Sequence, residues 1–204
     1  RDKVVLITGA GGSIGSEIAR QVVRNKASKV ILLDTNEYSL YSIKKEIEEL
    51  LIDVPLYSVL VNVNNKKRIL EVCKVFGVNT IYHTAAYKHV PLVEENAFEA
   101  VFNNILGTQV CAQAAIEAKV ETFVLISTDK AVRPTNIMGA TKRFSELVLQ
   151  SLSDTNNSEN FTRMTMVRFG NVIGSSGSAI PLFQQQIKDG GPVTVTHQEV
   201  IRYF

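Results

Sequence analysis

Three glycines at regular spacing are the first residues of this sequence whose pattern indicates a chemistry. They are Gly9, Gly12 and Gly15, which follow the apolar run 4–7 and open a stretch of helical periodicity. Gly9 permits a tight turn, Gly12 lets backbone N–H groups approach a pyrophosphate, and Gly15 lets a helix pack closely. The positive end of a helix that begins near Ser13 stabilises the same anion. The predicted phosphate contacts are Gly9, Gly11, Gly12, Ser13, Ile14 and Gly15.

An acidic residue, Asp34, ends the second apolar run and lies 19 residues after Gly15. A carboxylate at this position accepts hydrogen bonds from the adenosine ribose hydroxyls and repels a 2′-phosphate. The sequence therefore predicts NAD rather than NADP as the cofactor. The alternative interpretation is that Asp34 only caps the helix that begins after Asn36.

A second pair of titratable residues, Asp129 and Lys130, follows the apolar run 123–126. In a doubly wound sheet the carboxyl ends of the strands are where ligands and chemistry are found. An acid and an amine held side by side there can serve as general acid and base, provided Asp129 holds a proton and Lys130 does not. An ion pair between them would oppose both conditions. The alternative is an Asp-Lys surface turn.

The elements that must position these residues alternate along the chain. Six nearly continuous apolar runs, typical of strands buried on both faces, cover 4–7, 30–33, 56–61, 80–82, 123–126 and 164–167. Helical spacing is found at 13–24, 39–51, 92–118 and 135–153. Strand and helix in alternation predict βαβ units and an α/β fold with a doubly wound parallel sheet, the Rossmann fold.

Composition excludes several classes of protein. The 204 residues carry 22 Lys+Arg against 20 Asp+Glu, so no basic excess exists to bind nucleic acid. No apolar run approaches the roughly 18 residues of a membrane span, so we expect no membrane contact by this part of the chain. Two cysteines predict a reduced, cytoplasmic setting, and no His, Cys and acid cluster has metal-ligand spacing. The lone His83 is expected to be structural.

Four motifs in order resemble an extended short-chain dehydrogenase/reductase: TGxxGxxG at 8–15, NxxGT at 104–108, STDK at 127–130 and RFGNV at 168–172. More narrowly, segments 85–96, 127–143 and 168–183 are similar to CapD-like UDP-N-acetylglucosamine 4,6-dehydratases of capsule, O-antigen and protein-glycan biosynthesis. The resemblance covers nearly the whole chain. It implies a UDP-sugar substrate and a tightly held NAD.

The reaction implied by this resemblance removes a hydride from C4 of the sugar, eliminates water across C5 and C6, and returns the hydride to C6. By resemblance, Asp129 is the acid, Lys130 the base, and Thr128 binds the C4 oxygen. The elimination needs such an acid and base close together.

Position 138 departs from the wider family, which usually has Tyr-x-x-x-Lys with the tyrosine as base. Here the pattern is Met138 followed four residues later by Lys142, and a thioether has no titratable proton. The CapD-like subgroup resembles this sequence in having methionine there. The C4 proton then goes to Asp129, Lys142 or a water held by Thr128, and we favour Asp129. Alternatively, Met138 is a core residue of a non-catalytic domain.

The resemblance also implies further contacts. Those to the cofactor are Asn62, Val63, Ala85, Ala86, Lys88, Asn104, Lys142 and Phe169. Those to the substrate are Lys88, His89, Asn171, Ser178, Ile180, Pro181, Thr194 and Arg202.

We expect a single Rossmann-type domain over 1–204, of which 170–204 begin the substrate-binding part. The resemblance implies that the rest of that part follows Phe204 and that the parent carries a membrane-spanning region before Arg1. It also implies a homo-oligomer formed through the helices at 92–118 and 135–153. The alternative functions are a UDP-sugar 4- or 5-epimerase, or an NAD-binding regulatory module without activity.

Overall fold

The computed structural model describes residues 1–154, 162–175, 179–195 and 198–199, in two compact units, 1–168 and 169–204. A six-stranded sheet has the order β3-β2-β1-β4-β5-β6. Its strands are β1 Val4–Thr8, β2 Lys29–Asp34, β3 Leu56–Leu60, β4 Thr80–His83, β5 Thr122–Thr128 and β6 Arg163–Phe169. The helices are α1 Ser13–Arg24, α2 Glu37–Glu49, α3 Lys66–Phe76, α4 Val90–Glu95, α5 Ala97–Ala100, α6 Gly107–Glu117, α7 Ile137–Asp154 and α8 Ala179–Lys188.

The sheet has the doubly wound topology that the alternation of strands and helices predicts. β1 pairs in parallel with both β2 and β4, and the chain winds outward from this pair in opposite directions. The crevice between β1 and β4 is the switch point at which such sheets bind ligands. Register aligns the carboxyl ends, because Thr8 lies opposite both Leu33 and His83, and His83 lies opposite Leu125.

Two apolar cores lie on opposite faces of the sheet. In β1 the side chain of Leu6 joins one core, whereas Val5 and Ile7 join the other. All three are almost wholly buried, so the central strands are buried on both faces, as predicted. The same prediction is wrong for β3 and β6, where residues such as Leu60 and Val167 are exposed. These are the edge strands, and apolar composition alone does not distinguish an edge from a centre.

The predicted continuous helix at 92–118 is wrong in one respect. Asn96 separates α4 from α5, and a π-helical segment, Val101–Leu106, lies between α5 and α6. A π-helical segment changes which residues face the core without ending the helix, and such segments are frequent at functional sites. Across the described part of the chain, no helix combines the length and the apolar character needed to cross a membrane.

Candidate active site

The glycine-rich turn joins β1 to α1 at the switch point. Gly9 has a φ of 67°, in the left-handed region, and the N–H of Gly12 donates to its carbonyl at 3.1 Å. A Cβ on Gly15 would stand 2.1 Å from the Gly9 oxygen, so this helix can approach the turn only with glycine there. Gly12 is the N-cap of α1 and supplies no side-chain acceptor to the first helical turn. This is the arrangement that binds phosphate at a helix N-terminus.

Asp34 lies at the end of β2 and holds the turn from the other side. Its Oδ2 accepts from the N–H of Gly11 at 2.9 Å, and its Oδ1 accepts from the N–H of Asn36 at 3.0 Å. The N-cap of α2 is Asn36, whose side chain accepts from the N–H of Ser39, so the capping interpretation of Asp34 is not needed. A Cβ on Gly11 would lie 2.4 Å from the Cβ of Ser39. The carboxylate is therefore fixed beside the turn.

A cleft of about 650 Å³ opens between the turn, the end of β2 and the loop after β4. It is lined by these residues predicted to bind cofactor or substrate: Gly9, Gly11, Gly12, Ser13, Ile14, Gly15, Asp34, Val63, Ala85, Ala86, Lys88 and His89. Partial burial lowers the pKa of Lys88, because desolvation disfavours the charged form of its amine.

Sequence reasoning missed several polar residues of the cleft wall, among them Thr35, Ser39, Thr84, Tyr87, Asn96, Glu99 and Asn103. Asn96, Glu99 and Asn103 come from the interrupted helical stretch. Their position on one wall depends on the break at Asn96 and on the π-helical segment, which helical periodicity does not reveal.

Three predicted cofactor contacts of the first unit do not line this cleft. Asn62 is exposed and its Oδ1 accepts from the N–H of Asn64 at 2.8 Å. Asn104 is 1% exposed, and its amide binds the N–H and carbonyl of Tyr87 at 2.8 and 3.0 Å and the Thr141 hydroxyl at 3.0 Å. Asn104 therefore fixes the Tyr87 backbone from behind the cleft.

Lys142, the third of these residues, is buried in α7, and its Nζ donates to the carbonyl of Ile126 at 2.7 Å. Burial lowers the pKa of Lys142 to about 8, although the charge of Glu146 acts in the opposite direction. The ammonium group of Lys142 therefore holds the end of β5 in position, at a residue two positions before Thr128.

The Asp129–Lys130 pair lies in a 3-10 turn, Asp129–Ala131, that directly follows β5. The Nζ of Lys130 lies 3.1 Å from Oδ1 of Asp129, and the Thr128 hydroxyl donates to the same oxygen at 2.9 Å. Burial acts to raise the pKa of Asp129, but the hydrogen bonds from Thr128 and Lys130 outweigh it and leave that pKa below its usual value. The two groups thus form the ion pair that opposes their predicted roles.

Met138 is a core residue, 5% exposed, and packs in an apolar cluster with Val93 and Ala100. The next residue, Gly139, lets α7 pack against the Asp129–Ala131 turn, since a Cβ there would lie 2.4 Å from the Lys130 carbonyl oxygen. Glu94 accepts from the N–H of Ile137 at 2.7 Å and so caps α7. The helix is therefore fixed to the turn by its backbone, with methionine filling space beneath α4.

Glu146 is a buried charge that sequence reasoning missed. It accepts from the Ser127 hydroxyl at 2.6 Å, from Arg143 at 3.0 Å, and from the guanidinium of Arg168 at 2.8 and 2.5 Å. Burial opposes ionisation, but these donors, Arg168 foremost, lower the pKa of Glu146 to about 2. The carboxylate connects α7 to β6 and to the residue that precedes Thr128.

The second unit carries the remaining predicted contacts. Ile180 and Pro181 lie in α8, and Asn171 lies in the segment before it. Thr194 is bound to Gln186, whose side chain accepts from the Thr194 N–H at 3.0 Å and donates to its hydroxyl at 2.7 Å. Phe169 ends β6. Ser178 and Arg202 lie outside the described residues.

The parallel sheet, the glycine-rich turn and the acid at the end of β2 define a Rossmann-type domain. Residues 5–204 match the family described as polysaccharide biosynthesis protein, and the chain belongs to that family. It is 54% identical over 204 residues to the capsular polysaccharide biosynthesis protein CapD of Staphylococcus aureus. That alignment covers 100% of this chain and 34% of CapD. It is 35% identical over 207 residues to a UDP-glucose 4-epimerase of Rickettsia canadensis, and covers 59% of that protein.

Solved structures have the same fold. Pen from Bacillus thuringiensis superposes with a TM-score of 0.90 at 38% identity, over 97% of this chain and 61% of that one. The dTDP-glucose 4,6-dehydratase DesIV from Streptomyces venezuelae, solved with NAD bound, has a TM-score of 0.76 at 26% identity, over 93% of this chain and 63% of that one. The chain therefore spans between about a third and two thirds of these proteins.

Proposed function

We propose that this chain is the cofactor-binding and catalytic part of an NAD-dependent UDP-N-acetylglucosamine 4,6-dehydratase, whose product is a UDP-4-keto-6-deoxy-hexosamine. The observation that carries the proposal is the Asp129–Lys130 pair, held at the carboxyl end of β5 against a helix with methionine at position 138. An elimination of water needs such an acid and base, whereas a simple C4 epimerisation has no use for the pair.

The residues of the cleft fit NAD. The glycine turn has no side chains at the N-terminus of α1, where a pyrophosphate would bind, and the carboxylate of Asp34, held by the N–H groups of Gly11 and Asn36, supplies an acceptor for a ribose hydroxyl. The fixed carboxylate disfavours a 2′-phosphate through like-charge repulsion. Bound NAD supplies the oxidant for C4 and the reductant for C6, and the reaction is redox-neutral overall.

The ion pair, with Nζ of Lys130 3.1 Å from the carboxylate, must lose one proton before the elimination, and in this proposal the Lys130 ammonium gives that proton to water as the substrate enters. Exclusion of water by the bound substrate favours this loss, because burial disfavours a charged amine. Asp129, still ionised, takes the proton of the C4 hydroxyl and later gives it to the C6 hydroxyl, which leaves as water. Lys130, now neutral, takes the proton from C5 and returns it to C5 when the hydride reaches C6.

For the C4 oxidation we propose Asp129 as the base, in the ionised state that the structure has. Met138 is buried among apolar side chains and has no proton to exchange, and Lys142 is bound to the Ile126 carbonyl. In the same proposal Thr128, which donates to Asp129 at 2.9 Å, binds the C4 oxygen.

The test is incubation of the full-length protein with UDP-N-acetylglucosamine and mass spectrometry of the product. We expect a loss of about one water mass in the wild type, and neither ketone nor dehydrated product from Asp129→Asn. Asp53→Asn, an exposed aspartate, is the matched control and should behave as wild type. If Asp129→Asn still reduced bound NAD in the presence of substrate, Asp129 would not be the C4 base.

An epimerase is the second candidate, favoured by the 35% identity to a protein named UDP-glucose 4-epimerase. The same mass measurement separates the two functions, because an epimerase gives a sugar of unchanged mass. Turnover of either kind excludes a purely regulatory NAD-binding module.

We also propose that the chain forms a homo-oligomer through α5, the π-helical segment and α7. Large apolar side chains are exposed along these helices, which pack against one another: Phe98, Phe102, Leu106, Phe144 and Leu147. A second copy of the same surface would cover them. Light scattering should give a mass of at least two chains, and the double variant Phe98→Ser with Phe144→Ser should give a monomer with NAD affinity unchanged.

A further inference from the structure

A buried histidine that the proposed reaction does not use lies between the cofactor turn and the helices behind it. His83 ends β4 and is 1% exposed. Its Nδ1 lies 2.8 Å from the Thr8 hydroxyl, and its Nε2 lies 3.2 Å from the Thr108 hydroxyl. Thr8 ends β1 and Thr108 lies in the first turn of α6, so the His83 ring connects two different parts of the fold.

The direction of these hydrogen bonds follows from proton counting. The Thr108 hydroxyl has one proton, which it donates to the carbonyl of Asn104 at 2.6 Å. Its oxygen must therefore accept from Nε2–H of His83. Burial, with a contribution from the charge of Lys142, lowers the pKa of His83 to about 3, so the ring is neutral and Nδ1 has no proton. The Thr8 hydroxyl then donates to Nδ1.

At one end of this series of hydrogen bonds, Thr8 holds the glycine-rich turn, which we call the cofactor side of the cleft. Thr8 directly precedes Gly9, and its carbonyl accepts from the Thr84 hydroxyl at 2.6 Å. A Cβ on Gly9 would lie 2.7 Å from the backbone nitrogen of Ala85, so the turn and the loop after β4 are in close contact there. Thr8 therefore connects the glycine-rich turn to the loop after β4, and both of these segments line the cleft.

At the other end of the series, Thr108 is linked to Tyr87 and to α7, the helix beside the Asp129–Lys130 turn, which we call the reaction side. The carbonyl of Asn104 accepts from Thr108 and also from Ser145 of α7 at 2.8 Å. The side chain of Asn104 binds the Tyr87 backbone and Thr141, the neighbour of Lys142. One buried network thus reaches the cleft wall at Tyr87 and the helix that packs against the Asp129–Lys130 turn.

We propose that His83 is a positioning residue which fixes the glycine-rich turn through Thr8 and the reaction side of the site through Thr108. The proposal rests on the proposed function for the meaning of the reaction side, but not for its cofactor side. It assigns separable effects to the two ring nitrogens, which a purely structural role would not produce.

Four variants of the full-length protein test the two ends separately. An Asn side chain keeps an acceptor near the Nδ1 position, and a Gln side chain keeps a donor near Nε2. His83→Gln and Thr8→Val remove the link to the turn, and we expect each to weaken NAD binding about tenfold. His83→Asn and Thr108→Val remove the link to Asn104, and we expect NAD affinity within about twofold of wild type but kcat lowered about tenfold at unchanged KM.

Two measurements do not depend on turnover. The nitrogen chemical shifts of His83 should identify the Nε2–H tautomer, and the amide of Tyr87 should exchange faster in His83→Asn than in His83→Gln. A wild type that binds NAD but releases no water would overturn the proposed function, while NAD affinities and amide exchange would still decide the role of His83. Four variants that lose thermal stability alone, with NAD affinity, kcat and Tyr87 exchange as in the wild type, would overturn the proposal.

Discussion

Glu146→Gln is the substitution whose effect on stability the structure predicts most directly. The carboxylate is buried, with its side chain 1% exposed, and both oxygens accept from charged or hydroxyl donors. Glutamine keeps the shape but replaces one oxygen by an NH₂ group. That group faces Arg168 together with either Ser127 or Arg143, so the substitution removes the charge and leaves at least one donor without an acceptor.

The magnitude follows from the pKa of Glu146. In the folded chain it is lowered from 4.5 to about 2, a difference of about 2.5 units or about 3 kcal/mol. Removal of one partner from a fully buried ion pair costs roughly 3–5 kcal/mol, and the lower end of this range applies here because the Arg168 side chain is 38% exposed. Because the folded-state pKa lies below the unfolded value, this stabilisation is fully present above about pH 5 and is lost as the pH falls toward 2.

Urea unfolding followed by circular dichroism measures the effect. At pH 7 we expect Glu146→Gln to lower the free energy of unfolding by about 3 kcal/mol, and the difference from wild type to shrink by about half at pH 3. Glu117→Gln is the control, since it breaks the exposed ion pair with Lys66 and should cost under about 1 kcal/mol. A loss below about 1 kcal/mol for Glu146→Gln, or a difference independent of pH, would refute the reasoning.

Two further predictions concern the cofactor cleft. Gly15→Ala should lower the melting temperature and abolish NAD binding, because its Cβ would lie 2.1 Å from the Gly9 oxygen. A Cβ on Gly12 would lie 3.3 Å from the same oxygen, so Gly12→Ala should fold normally and lose only NAD affinity. Calorimetry measures the affinity of each variant for NAD, and thermal unfolding measures its stability. Asp34→Asn should weaken NAD binding about tenfold and narrow the preference over NADP. If the ratio of the NAD and NADP affinities were the same in Asp34→Asn as in the wild type, another group would select against the 2′-phosphate.

The sequence predicts the sheet and the grouping of the glycine-rich turn with Asp34 on one cleft, because both depend on local patterns. Apolar runs define the strands, and the parallel topology brings their carboxyl ends together. Gly9, Asp34 and Ala85 therefore lie on one cleft although they are distant in sequence. No separate knowledge of tertiary packing is needed for this inference.

The surroundings of the Asp129–Lys130 turn are harder to predict from sequence, because their geometry depends on packing between helices. The π-helical segment turns Asn104 away from the cleft into a buried network, and helical periodicity gives no sign of it. Glu146 did leave a signal, since it lies on the same face of α7 as Met138, Lys142 and Leu149, all of them buried. An acid on a buried helix face requires partners, and that rule would have identified it.

Helix α7 supports the strand end that precedes the Asp129–Lys130 turn. It carries one buried cation and one buried anion a single turn apart, and Lys142 binds Ile126 while Glu146 binds Ser127. These are the two residues that precede Thr128, so the helix fixes the strand end from which the Asp129–Lys130 turn begins. A tyrosine at position 138 is not needed for that support, because methionine fills the space beneath α4. Helix α7 therefore holds the strand end before the Asp129–Lys130 turn through these two charged side chains, with no titratable side chain at position 138.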